Sequence, residues 1–90
     1  MTSVAETRAK LRAEMPAAKK YAYFDHAAMS PLPQAAADAF QKWLKEAVEI
    51  GNPVWGEWVK GVETMRAAAA QMVGSHPDEI ALVNNTTGGI

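Results

Sequence analysis

The stretch Ile80-Ala81-Leu82-Val83-Asn84-Asn85-Thr86-Thr87-Gly88-Gly89-Ile90 decides how this chain is read. Four apolar residues without polar alternation predict a strand buried on both faces, the kind a mostly parallel sheet requires. The polar residues after it, followed by two glycines, predict a tight turn that opens a helix. Unpaired backbone N–H groups at a helix start attract anions, and threonine hydroxyls add further donors. Phosphate is the guest that suits this arrangement. A buried strand needs neighbouring strands, and the remaining sequence supplies no second convincing one. The expectation is therefore a piece of a longer α/β protein.

Upstream, the pattern is helical. Ser3-Val4-Ala5-Glu6 matches a capping box, with Ser3 as the N-cap and Glu6 three residues on. Val4, Leu11 and Met15 continue a helical stripe that Pro16 stops. Tyr21-Ala22-Tyr23-Phe24 predicts an extended segment, which breaks into a proline-rich loop from Asp25 to Pro33. Ser30 or a neighbour is placed to cap the next helix, with a proline in its first turn.

Ala36, Phe40, Trp43, Leu44 and Ala47 share one face and predict a helix over 34–50. Gly51 is placed as its C′ residue, and Asn52-Pro53 closes the end. A third stripe, Trp55, Trp58, Val59, Val62, Met65, Ala69, Met72 and Val73, predicts a helix over 54–73 that Gly74 terminates. Core packing is the expectation for both tryptophans of that stripe. Residues 75–79 form a turn before the apolar run. In domain terms, residues 1–20 read as a helical arm and 21–90 as part of a larger domain.

Bulk composition excludes several classes. The chain has 90 residues, no Cys and a net charge of −1, from nine basic and ten acidic side chains. Without Cys there are no disulfides, thiolate nucleophiles or Cys-type metal sites. The charge balance favours neither a nucleic acid nor a membrane as partner. The polar N-terminus lacks a signal's apolar core and no apolar stretch spans a bilayer, so a cytoplasmic protein is expected. No metal site is expected either: His76 lies in a turn as a surface residue, and nothing joins it to His26.

The ordered set Tyr23-Phe24-Asp25-His26-Ala27-Ala28, Ser30-Pro31-Leu32-Pro33, Gly51-Asn52-Pro53, His76-Pro77-Asp78-Glu79-Ile80 and Asn85-Thr86-Thr87-Gly88-Gly89-Ile90 resembles a known family. It is similar to the N-terminal segment of class V aminotransferase-type enzymes, which use pyridoxal 5′-phosphate (PLP). That family includes cysteine desulfurases, selenocysteine lyases and isopenicillin N epimerase-like proteins. The resemblance runs from about Tyr21 to Ile90.

It implies an α/β fold of the fold type I PLP class, with three helices here followed by the first strand of the large-domain sheet. It further implies PLP as cofactor, with Thr86, Thr87 and Gly88 at its phosphate. His26, Ala27 and Ala28 would lie near the substrate, at the entrance to the active site, and the whole enzyme would be a homodimer. The family often carries Glu where this chain has Gly88.

The residues themselves bear on some of these roles. Adjacent Asp25 and His26 point to opposite sides of an extended segment, so they make no dyad by themselves, and Asp25 is expected to tie down the turn. PLP chemistry also needs a lysine that carries the cofactor, an acid for its ring nitrogen and an arginine for the substrate carboxylate. Lys10, Lys19, Lys20, Lys42, Lys45 and Lys60 all read as surface residues, so the ninety residues alone are expected to be inactive. The expected reaction of the parent enzyme is C–S or C–Se lyase, epimerase or aminotransferase chemistry on an amino acid. Two other readings stand beside it: a small helical interaction module, and a catalytically dead homologue. A module would bury residues 80–83 in its own fold, whereas an enzyme segment would leave them unpaired or held by neighbouring sequence.

Overall fold

Alanine-rich stretches punctuated by proline and glycine fold into helices joined by short turns, and the computed structural model describes all residues from 1 to 90. Four α-helices form: α1 (Val4–Ala13), α2 (Gln34–Glu49), α3 (Trp55–Val73) and α4 (Thr86–Gly89). One-turn 3-10 helices occupy Pro16–Lys19, Asn52–Val54 and Pro77–Glu79. The chain divides into two compact units, Met1–Glu49 and Ile50–Ile90. The boundary expected near residue 20 falls inside the first of them.

In the first unit, the capping box is formed at both ends. The Glu6 amide donates to Ser3 Oγ at 3.1 Å, and the Ser3 amide donates to Glu6 Oε2 at 2.7 Å. Two of the free donors of the first turn are thereby satisfied. Pro16 starts a 3-10 turn after α1. The start of α2 is held from a distance, because the Gln34 amide donates to the Glu14 carbonyl at 2.7 Å. Ser30 does not cap α2; its hydroxyl reaches only the Pro31 carbonyl, at 3.5 Å.

In the second unit, Gly51 adopts φ 72°, ψ −137°, a conformation closed to residues with a Cβ. Helix α3 ends on Gly74 in the left-handed region (φ 70°, ψ 34°), with the Gly74 amide donating to Gln71 O and the Ser75 amide to Ala70 O. That pair of bonds is a Schellman motif, which satisfies carbonyls the helix leaves open. The sequence placed both glycines correctly.

The fold class expected from residues 80–83 is overturned. No residue of the chain is in a strand, and the protein is helical, without the sheet of an α/β fold. Residues 81–83 run without regular structure between the 3-10 turn at Pro77–Glu79 and α4. The physical reason is pairing: a strand exists only where another chain segment takes its N–H and C=O groups, and no segment does so here. Leu82 and Val83 accordingly stay 41% and 54% exposed.

The core is equally sparse. Ala70 alone is fully buried, at 1% exposure. The tryptophans of α3 are not core residues: Trp55 is 61% exposed and meets Trp58 edge-on, with ring centroids 6.4 Å apart. Phe40, Trp43 and Leu44 also remain exposed along α2. No helix is long and apolar enough to cross a membrane.

Candidate functional site

The turn at 84–90 is built around Asn85. Its backbone is extended, its side-chain oxygen accepts the Gly88 amide at 2.8 Å, and its carbonyl accepts the Gly89 amide at 3.3 Å. Asparagine favours this N-cap position because its short side chain can turn back onto the first helical turn. Helix α4 is a single turn, Thr86–Gly89, whose last amide contact is Ile90 N–H to Thr87 O. The Thr86 and Thr87 amides and hydroxyls have no acceptor or donor within the protein, and both residues are exposed.

Of the three residues expected at the phosphate, Thr86 and Thr87 present free donors. Gly88 does not, since Asn85 occupies its amide. Space at Gly88 is available: a Cβ there would meet Asn85 Oδ1 at 3.5 Å, an ordinary contact. Gly89 is closer packed, because its Cβ would come within 3.3 Å of Val83 Cγ2. The donor set of Thr86 and Thr87 therefore fits an anionic oxygen cluster such as the phosphate end of PLP.

The approach to this turn is fixed by Arg66, part-way along α3. Its guanidinium donates through Nη1 to the Ile80 carbonyl, while its Nε donates to Glu63 Oε2 at 3.2 Å. On the N-terminal side of the run, the Ile80 amide donates to Pro77 O at 3.1 Å. His76 opens the preceding turn and is exposed. Its Nδ1 accepts the Asp78 amide at 3.3 Å, and its own amide donates to Glu79 Oε2 at 2.8 Å.

His26, Ala27 and Ala28 lie in the other unit, on a turn closed by the Ala28 and Met29 amides, both donating to the Asp25 carbonyl at 3.2 Å. Thus the main chain of Asp25 organises the turn, and its carboxylate takes no partner. Tyr23 braces the same turn. Its hydroxyl donates to Met29 O at 2.5 Å, and its ring meets His26 edge-on, with centroids 5.1 Å apart. Ala27 and Ala28 are exposed and bring no functional group beyond their backbone.

Beside this turn lies an open groove of about 430 Å³, lined by the end of α1, the Pro16–Lys19 turn, the aromatic segment and His26. No group of three or more His, Asp or Glu side chains gathers where it could hold a metal ion.

Sequence reasoning missed three features. Asn85 could have been found from its preference for N-cap positions immediately before Thr-Thr-Gly. Arg66 had no local signal, because its partner lies 14 residues away. The groove depends on how three short segments converge, which no motif encodes. No family model, no curated protein and no solved structure matches this chain.

Proposed function

We propose that this chain is part of a PLP-dependent enzyme acting on an amino acid, with Thr86 and Thr87 holding the phosphate end of the cofactor. The observation that carries this reading is the Asn85-capped turn, which leaves two adjacent threonine amides and hydroxyls free. The ordered resemblance to class V aminotransferase-type enzymes supports it, and so does the unpaired state of residues 81–83. A self-contained interaction module would have covered those apolar side chains.

When bound, PLP supplies the electron sink for breaking bonds at an amino acid's α-carbon. This chain's own residues act on the cofactor's tail. Thr86 and Thr87 donate hydrogen bonds to phosphate oxygens; charge-assisted bonds of this kind are about twice as strong as neutral ones. Asn85 fixes the turn that aims them. The resemblance assigns His26, Ala27 and Ala28 to the substrate side; in their own unit they sit on a turn whose two alanines add little steric bulk. Lyase, epimerase and aminotransferase reactions all fit, and the parent enzyme works as a homodimer.

A helical interaction module is the second reading. The exposed face formed by Phe40, Trp43 and Leu44 on α2 favours it. Residue-resolved amide spectra during titration with PLP, and separately with pyridoxal, discriminate the two. The enzyme reading expects saturable shifts at Thr86 and Thr87 with PLP and none there with pyridoxal, which lacks the phosphate. Equal responses to both, or no response in residues 84–90, would contradict it.

A further inference from the structure

The groove of the first unit shows a segregation of charge that the phosphate turn does not explain. Between Arg12 and Pro31 the sequence carries three cations, Arg12, Lys19 and Lys20, and two acids, Glu14 and Asp25. All three cations line the groove and neither acid does. The remaining lining mixes small and aliphatic residues with four rings, those of Tyr21, Tyr23, Phe24 and His26.

We propose that the groove bounded by Arg12, Lys19, Lys20, Tyr21, Tyr23 and His26 binds a small planar anion: an aromatic ring carrying a phosphate or carboxylate. Its volume, about 430 Å³, lies within the usual range for small-molecule sites. Several of its walls are set in advance. Arg12 Nη2 donates to the Ala18 carbonyl at 3.4 Å, which holds the guanidinium across the Pro16–Lys19 turn with its other donors uncommitted. Tyr23 is held by Met29 O, and His26 stands edge-on to it. A guanidinium pairs with phosphate or carboxylate through two parallel N–H donors. Aromatic walls favour a flat ring by stacking or edge contacts. A neutral ring would forgo the cations, and a bare anion would forgo the aromatic walls.

This site involves residues apart from Thr86 and Thr87 and does not rest on the phosphate reading of that turn. The test is amide-resolved titration of the full chain with phenyl phosphate, inorganic phosphate and benzyl alcohol. The expected result is saturable shifts within residues 12–31 for phenyl phosphate, with both other probes at least about fivefold weaker. Lys19→Gln leaves the Arg12–Ala18 bond intact and should weaken phenyl phosphate binding about twofold to fivefold, as loss of one solvent-open ion pair does. Arg12→Gln with Lys19→Gln should weaken it further, and added salt should weaken the unsubstituted chain. Unchanged far-UV dichroism in Lys19→Gln keeps the comparison interpretable. Absence of saturable shifts in the groove, unchanged affinity in Lys19→Gln, or equal binding of benzyl alcohol or inorganic phosphate would overturn the proposal. Shifts at Thr86 and Thr87 in the same spectra report on the other site independently.

Discussion

The Arg66 guanidinium on α3 donates to the main-chain carbonyl of Ile80, and this one bond anchors the apolar run that leads into the Asn85-capped turn. Glu63 steadies the donor from one helical turn before it, through Arg66 Nε at 3.2 Å. The Arg66 side chain is 25% exposed, so the bond is partly shielded from water. Arg66→Met keeps the apolar stem and removes the donor. The expected outcome is a loss of about 1 kcal/mol confined to residues 80–87. Amide exchange there should speed up about fivefold, while the middle of α3 keeps its protection.

Asn85 makes the second local commitment. Asn85→Ala removes the acceptor of the Gly88 amide and should cost α4 about 1 kcal/mol, read as loss of helical Cα shifts at residues 86–89. Gly88→Glu should act in the opposite sense. Residue 88 stands three after the N-cap, where a glutamate can reach back to the cap amide, and the space beside it is open. The glutamate common in the resembling family therefore fits this turn as a capping residue, and the same shifts should become more helical.

At Gly74 the backbone conformation, not crowding, sets the outcome. A Cβ there meets nothing within 4 Å, yet φ is 70°. Gly74→Ala should destabilise the end of α3 by about 1 kcal/mol, and Gly74→Asn by less, because asparagine tolerates the left-handed region better. Thermal melts followed by far-UV dichroism check the order.

Acid should loosen α1 from its first turn. The Glu6 carboxyl titrates below the ordinary glutamate range because it accepts the Ser3 backbone amide, with the Ser3 hydroxyl contributing further. A lowered folded-state pKa means that the contribution is fully present above the unfolded value, about 4.3, and lost as pH falls through the folded one. Helical shifts in residues 4–7 should therefore decline on acidification below about pH 4. In Glu6→Gln they should be flat across that window.

How much of this was legible in the sequence depended on how local each determinant is. The capping box at Ser3 and Glu6, the stripes of α2 and α3, and the stop at Gly74 all rest on interactions within a few residues, and their boundaries emerged within about a residue. Residues 80–83 failed as a strand because an apolar run reports the surroundings a segment needs, and pairing requires a partner elsewhere. The same run of residues then found its anchor in Arg66, through a contact without periodicity. The stripes also misled in one respect: Trp55 and Phe40 lie on apolar faces, yet both side chains stay exposed. At the candidate site, a turn opening a helix after the apolar run was legible, and α4 begins at Thr86. Asn85's hold on Gly88 was not read, and it moves the free donors onto Thr86 and Thr87.

The central claim is that those two threonines hold a phosphate group, and phosphorus resonance spectroscopy tests it most directly. Pyridoxine 5′-phosphate keeps the ring and phosphate of PLP but lacks the aldehyde that would react with surface lysines. Its phosphorus resonance should shift and broaden saturably as the protein is added. Measured on a background of Arg12→Gln with Lys19→Gln, which weakens the groove of the first unit, that response should persist and should fall several-fold in the double variant Thr86→Val with Thr87→Val. A resonance as sharp as that of the free compound, or one that responds equally to the double variant, would contradict the account.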